Sequence, residues 1–245
     1  MLVAKVAAMM IAAERIAVLS GAGLSKASGI PTYRDKGGLW TQEGLAKYSS
    51  AEELEWNPAG FREFWAARLL ELAKAEANAG HIALVELQRR RPEVALITQN
   101  VDGLLTKAGA ANVLELHGSL LRNRCSDCGA VFSALKDAQS GEGTCTSCGA
   151  ARVRPDVVLF GELLDASISR DATWAAKLSD VFLLAGTSAV VHPAADLATM
   201  AVDCGAKLVI INLEPTPLDE LAYVVVRGRT EEVLPSILEA MCREA

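Results

Sequence analysis

Four of the six cysteines, Cys125, Cys128, Cys145 and Cys148, stand at the spacing C-x2-C-x16-C-x2-C. Two such knuckles can bring four thiolates around one tetrahedral Zn2+. Residues 1–13 carry no cationic start, sustained apolar core or cleavage site, so a reducing compartment, the cytoplasm, is expected, and with it a metal rather than two disulfides. Cys204 and Cys242 fall outside the pattern and are expected as small buried apolar residues. Of the three histidines, His81 follows Gly80 at a helix junction and suits a packing or capping role. His192 precedes Pro193 after the Gly186-Thr187-Ser188 turn, where it borders the ligand crevice without an obvious proton partner. His117 ends an apolar strand and is followed by Gly118, which leaves room for a ligand. An unperturbed imidazole pKa of about 6.5 suits it to general-base work at neutral pH.

The run Ile16 to Trp40, IAVLSGAGLSKASGIPTYRDKGGLW, begins as a short apolar strand and breaks at Gly21 and Gly23. Backbone amides freed at such a break can approach a phosphate, because glycine has no Cβ to hold it off. Lys26 occupies the place of the third glycine in the dinucleotide fingerprint, so the motif by itself is incomplete. Asn100 and Asp102, two residues apart after a strand, suit hydrogen bonding to a ribose and a carboxamide, and Arg34 could steady a pyrophosphate. No Ser-His-Asp arrangement with a nucleophile elbow is visible.

These residues need elements to carry them. Residues 1–14 read as a helix, and apolar strands follow at Ile16 to Leu19, Val94 to Thr98, Val113 to Leu116, Val157 to Phe160, Val181 to Ala185, Leu208 to Ile211 and Tyr223 to Val226. Several lack clean alternation and many are separated by helical segments, the pattern of a parallel α/β sheet covered on both faces. Five strands end in polar or small residues: Ser20-Gly21, Thr98-Gln99-Asn100, His117-Gly118, Gly186-Thr187-Ser188 and Asn212-Leu213-Glu214. In an open parallel sheet those ends line one crevice. Asn57-Pro58 opens a helix expected to end near Asn78-Ala79-Gly80. Phe61, Phe64, Trp65 and Leu72 share one of its faces, and Arg68 falls within that stripe, where it must snorkel, find a carboxylate or await an anion.

A chain of 245 residues, 51% hydrophobic, can bury a full core as one domain with a small insert. The fold class is α/β, a Rossmann-like doubly wound parallel sheet with a small zinc-binding module and a helical insert. Within a single domain spanning 1–245, the Rossmann-like part takes 1–34, 81–120 and 155–245, the glycine-rich loop and helical insert 35–80, and the zinc module 121–154. No apolar run reaches the length of a spanning helix. The net charge of −6 disfavours broad contact with nucleic acid and leaves room for a basic peptide.

GAGLSKASGIPTYRD, TQNVDGL, LHG, the four-cysteine module, RPDVVLFGE, GTSAVVHPAA and INLE, in this order from about Ile16 to Glu232, resemble the sirtuins, NAD-dependent protein-lysine deacylases. The resemblance implies a cofactor loop from Gly21 to Trp40 that includes Ser25, Ile30, Pro31 and Thr32. Ala22 and Gly23 would lie at the phosphates, with Tyr33 and Arg34 near the nicotinamide ribose. Gln99, Asn100, Val101 and Asp102 would hold ribose and carboxamide; Gly186, Thr187, Ser188, Asn212, Leu213, Glu214 and Thr230 would hold the adenosine half. An acyl-lysine peptide would add as an extended strand along Val157, Val158, Phe160, Gly161 and Glu162. The substrate amide oxygen would attack the ribose as nicotinamide leaves, and His117 would take a ribose hydroxyl proton. The products would be free lysine and O-acyl-ADP-ribose, with NAD consumed and the four-thiolate zinc closed to water and structural.

In the branch of the family that removes succinyl and malonyl groups, a helix carries Tyr-x-x-Arg against the acyl carboxylate. Here Trp65-Ala66-Ala67-Arg68 keeps the cation and replaces the tyrosine, so acceptance of acidic acyl groups is expected beside deacetylation. Tyr33-Arg34-Asp35 also departs from the Phe-Arg-Gly more usual in that branch. The cofactor loop is expected to order on cofactor binding. The competing readings are an ADP-ribosyltransferase working in the same crevice and a non-catalytic zinc-ribbon module on a nucleotide fold.

Overall fold

The computed structural model of the protein describes residues 1–32, 46–140 and 143–244. Among these residues the strands are β1 (Ile16–Ser20), β2 (Ala95–Thr98), β3 (Leu114–Glu115), β4 (Gly118–Cys125), β5 (Val131–Ser133), β6 (Val153–Val157), β7 (Val181–Ala185), β8 (Lys207–Asn212) and β9 (Val224–Arg227). Six of them form one parallel sheet in the order β3-β2-β1-β7-β8-β9. The chain runs outward from β1 to one edge and later returns to β7 on the other side of β1. That reversal makes the β1/β7 boundary a topological switch point, where an open sheet leaves a crevice at its carboxyl ends.

Alternation along the buried strands feeds two cores. From β1, Ile16 and Val18 join Leu96, Leu183 and Val209 beneath α1 (Leu2–Ala12), α5 (Ala79–Arg90) and α10 (Thr230–Glu244). Ala17 and Leu19 point the other way, with Phe182, Leu184 and Ile210, under α8 (Ala166–Leu178) and α9 (Asp196–Asp203). The end of α1 is held by Arg91, whose guanidinium donates to the carbonyls of Met10 and Ala13, satisfying groups a helix end leaves open.

The turns after β1 and β7 interlock. The Gly23 amide donates to the Gly186 carbonyl at 2.8 Å, and a Cβ on Gly23 would stand 2.7 Å from that oxygen. Two loops can approach this closely only without side chains. The short α2 (Ala22–Ser25) follows at once.

The helix opened by Asn57-Pro58 is α4 (Pro58–Lys74), and Asn57 caps it by accepting from the Gly60 amide at 3.1 Å. It stops at Lys74, earlier than the expected Asn78-Ala79-Gly80. Those residues instead start α5, because the Asn78 side chain accepts from the Gly80 amide and the His81 ring from the Asn78 amide. The short α3 (Ala51–Trp56), capped by Ser50, precedes α4, and the short α6 (Leu104–Lys107) follows β2. Phe61, Trp65, Leu69 and Leu72 of α4 form a third core with Leu120, Val157, Leu159 and Ala134, the last of these opening α7 (Ala134–Ser140).

The strands β5-β4-β6 make a separate antiparallel sheet. The expectation that Val157 to Phe160 joins the parallel sheet is therefore corrected. Val157 ends β6, and Phe160 makes an isolated bridge with Ser50. A short β-branched run looks the same in either sheet, and only long-range pairing decides between them. Cys204 and Cys242 are both exposed rather than buried. Cys204 caps the end of α9, and Cys242 lies in the last turns of α10 where the Arg90 guanidinium donates to its sulfur. No helix among the described residues is long and apolar enough to cross a membrane.

Candidate functional site

The carboxyl ends of the parallel strands open into one cavity of about 740 Å³. Its floor is the β1 turn, Gly21, Ala22 and Gly23, with Gln99, Asn100 and Val101 after β2. Gly186, Thr187 and Ser188 after β7, and Asn212, Leu213 and Glu214 after β8, close one end, with Thr230 at the start of α10. Gly228, Arg229 and Glu231 also line it, a stretch the sequence reading passed over. The rule that exposed the other strand ends, applied to the last strand, points directly to Gly228.

His117 sits in the turn between β3 and β4, on the cavity wall. Its Nδ1 lies 2.9 Å from the Gln99 carbonyl oxygen. A carbonyl can only accept, so the proton resides on Nδ1, and Nε2 keeps its lone pair with no partner among the described residues. Burial pushes the imidazole below its ordinary pKa, against the Gln99 bond that raises it, so the ring is neutral at pH 7. Gly118 serves a different need from the ligand space expected of it. Its φ is +75°, and a Cβ there would lie 2.1 Å from the Asp156 carbonyl oxygen of β6. The glycine lets the two sheets meet directly behind His117. The chain Glu115–Arg122–Asp156 crosses the same junction, at 2.7 Å and 3.1 Å.

Asn100 is pinned from below. Its Nδ2 donates to the Gly21 carbonyl at 3.0 Å and the Ser25 hydroxyl at 3.1 Å, leaving Oδ1 as an acceptor without a partner among the described residues. Ser25 Oγ donates to Asp102 Oδ2 at 2.6 Å and meets His81 Nε2 at 3.4 Å. Asp102 also accepts from the Leu104 amide at 2.9 Å. Burial raises the Asp102 carboxyl above its ordinary pKa, opposed by the Ser25 and Leu104 bonds. Burial also lowers His81 to about 4, keeping it a neutral capping residue of α5 as expected. Ser25 and Asp102 therefore lie behind the wall that Asn100 presents, and Ile30 packs on the third core, away from the cavity. Thr32 lines the cavity, whereas Pro31 does not. Tyr33, Arg34, Asp35 and Trp40, and with them residues 33–40 of the loop expected to order on cofactor binding, lie outside the described residues.

The opposite wall consists of Trp65 with Val157, Val158, Phe160, Gly161 and Glu162. Trp65 Nε1 donates to the Tyr48 carbonyl at 2.9 Å, which turns the indole edge away from solvent. Arg68 lies at the margin of the apolar stripe, outside the cavity lining. It found a carboxylate, pairing with Glu71 at 2.5 Å, and stacks 5.4 Å from the Phe64 ring centroid. Its Nε is buried without a hydrogen-bond partner among the described residues. His192 lines the cavity as expected, but it does have a partner, since Nδ1 lies 2.7 Å from Asp196 Oδ1. The turn 192–195 ahead of α9 brings the carboxylate of that helix's first residue back to it, a spacing visible only once the helix start is known.

The four cysteines converge at the tip of the small sheet. Their sulfurs all lie within 4.8 Å of one another, with Cys125–Cys148 at 3.7 Å and Cys128–Cys145 at 3.6 Å. Zn–S bonds in a regular tetrahedron require sulfur separations of about 3.8 Å, so the donor set fits a four-thiolate zinc site.

Nucleotide-binding proteins of the doubly wound class place their ligand in this crevice, and its size suits a dinucleotide. The Sir2 family model matches residues 21–193 of the chain. An NAD-dependent protein deacylase of Thermus thermophilus is 45% identical over 230 residues, 92% of this chain and 90% of the relative. A Sir2 homologue solved as an NAD complex superposes with a TM-score of 0.90 at 34% identity, covering 98% of this chain and 94% of that one. A Sir2 structure with a p53 peptide and NAD+ gives 0.84 at 30% identity, covering 96% of each chain. The chain belongs to the Sir2 family, the sirtuins, and is an NAD-dependent protein deacylase.

Proposed function

We propose that the protein removes acyl groups from lysine side chains of protein substrates, with His117 as the general base. The observation that carries this reading is the His117 ring, held neutral at the cavity wall with Nδ1 committed to Gln99 and Nε2 available. NAD supplies the ribose carbon and the leaving nicotinamide when bound. The chain's own work is to place them. Asn100 offers Oδ1 toward a ribose hydroxyl or carboxamide, Gly21 to Gly23 admit the pyrophosphate closely, and Asn212 to Glu214 with Thr230 border the adenosine end. Asp102 supports this arrangement through Ser25 rather than by contact, and Arg34 is assigned to the nicotinamide ribose. The zinc would be held by Cys125, Cys128, Cys145 and Cys148 as a structural centre.

The substrate lies along Val157 to Glu162 as an extended strand. In that segment the Val158 amide donates to the His117 carbonyl at 2.9 Å and the Phe160 amide to Ser49 at 2.7 Å. The Val158 carbonyl and the Gly161 amide have no partner among the described residues, and these are the groups offered to a peptide backbone. Acidic acyl chains are accepted beside acetyl, on the support of the unpartnered Arg68 Nε one helical turn from Trp65. The cytoplasm, where thiolates stay reduced, is the compartment assigned.

The test supplies NAD with matched acetyl-, succinyl- and malonyl-lysine peptides to the wild type and to Arg68→Met, following nicotinamide and O-acyl-ADP-ribose by mass spectrometry. Peptide-dependent release of both products is expected, with Arg68→Met losing succinyl turnover far more than acetyl turnover. Transfer of ADP-ribose to protein without an acyl peptide would establish the transferase reading instead. Equal loss of both activities would make Arg68 structural.

A further inference from the structure

The edge segment against which the substrate peptide is proposed to lie is not part of either sheet beyond Val157, yet the amides of Val158, Leu159, Phe160 and Glu162 are all hydrogen-bonded. The two ends of the segment meet at Arg154, a residue of β6 behind the cavity wall, 15% exposed at its side chain. Its guanidinium takes both carboxylate oxygens of Glu162, through Nη1 to Oε1 and through Nη2 to Oε2 at 3.0 Å. The same Nη2 donates to the Val157 carbonyl at 2.7 Å. Glu162 Oε2 in turn accepts from the Leu159 amide at 2.9 Å, and the Glu162 amide donates to the Leu159 carbonyl at 3.0 Å. One planar cation thus ties the first and last residues of the segment to each other and, through Glu162, to its middle. A guanidinium can do this because its donors lie in a rigid fork, whereas an ammonium presents a single point of charge.

The strap also has a fixed root. Arg154 is paired with Arg124 across β4 and β6, next to the Val153–Cys125 pair, so its backbone is set by the sheet that carries the first metal knuckle. On the far side Phe160 is bridged to Ser50. Both ends of the segment are thus held, while the Val158 carbonyl and the Gly161 amide have no partner among the described residues.

We propose that Arg154 is a positioning residue for the peptide substrate, preorganising Val157–Glu162 through Glu162 and the Val157 carbonyl so that an extended backbone can dock without the segment having to be ordered first. This rests on the deacylase reading above. Arg154 touches neither the cavity nor the reacting atoms, and its loss acts on peptide binding while leaving the NAD half of the crevice intact.

The test measures KM for an acetyl-lysine peptide and KM for NAD separately in the wild type, Arg154→Gln and Arg154→Lys, together with amide hydrogen exchange at Leu159. Arg154→Gln is expected to raise the peptide KM about tenfold, with the NAD KM unchanged and faster exchange at Leu159. Arg154→Lys, which keeps the charge and one bond to Glu162, recovers part of that loss. A parallel rise in both KM values, or a fall in kcat alone, overturns the assignment. Wild-type protein that turns over no acyl peptide overturns the deacylase reading, and this assignment with it.

Discussion

A base that abstracts a hydroxyl proton must be unprotonated and must keep one ring nitrogen free. At His117 both conditions come from its setting. The Gln99 carbonyl takes Nδ1, and burial lowers the ring's proton affinity. The sign follows directly: a base whose pKa lies below about 6.5 is already neutral at pH 7 and gains nothing from further rise in pH. The acid limb of kcat/KM should therefore fall below pH 6.5 and be flat through neutrality. His117→Ala should lose about 10² to 10⁴-fold in turnover while its melting transition stays near wild type. Near-normal turnover in that variant, or an acid limb centred above pH 7, would remove His117 from the role. The neighbouring polar cluster shows the complementary arrangement. His81 and Asp102 are buried and fully engaged with Asn78, Ser25 and Leu104, so they hold Asn100 rather than react.

Among the elements, the junction between the parallel sheet and the small antiparallel sheet carries the most. β3 ends at Glu115, β4 begins at Gly118, and only the turn with His117 separates them. Gly118 is required twice over, by a φ of +75° and by the Asp156 carbonyl in the place of its missing Cβ. Gly118→Ala should cost about 2 kcal/mol or more, from backbone strain and overpacking together. Urea unfolding would show this as a lower midpoint, and turnover should fall further than stability alone explains because the turn moves His117. An alanine variant with unchanged stability would mean that β6 can retreat, and that the contact does not define the junction. The third core adds a second link, since Ala134 of α7 packs with Phe61 and Trp65 of α4. The small sheet thus reaches the cavity from two sides.

For the whole molecule, the four-cysteine tip lies at the far end of that same sheet. Its zinc completes the thiolate set and leaves no open position, so its contribution is to folding. Chelation should loosen residues 118–157 first, seen as faster amide exchange there, and activity should decline in step as the His117 turn and the Arg154 strap lose their support. A fully folded but inactive apo protein would argue instead for a metal in the chemistry.

How much of this was open to sequence reading depends on the range of each interaction. The metal knuckles, the Asn57-Pro58 helix start and the strand ends that line the cavity are local patterns, because ligand spacing, capping and side-chain alternation act over a few residues. So is the choice of His117, one of only three histidines and the one following an apolar strand. The Val157 to Phe160 run, the exposure of Cys204 and Cys242 and the His192–Asp196 pair were not legible, since each depends on which element comes to lie beside which.

The composition and order of short motifs determined by themselves the doubly wound class, the crevice and the four-thiolate site. Tertiary structure alone decided that Gly23 and Gly186 exist for each other, that Gly118 makes way for Asp156, that Arg68 is paired with Glu71, and that Arg154 closes on Glu162 behind the cavity wall. These are contacts between segments that share no local signal. Steric exclusion at a Cβ and hydrogen bonds in a buried setting exist only once the chain has folded, so no periodicity or spacing could announce them.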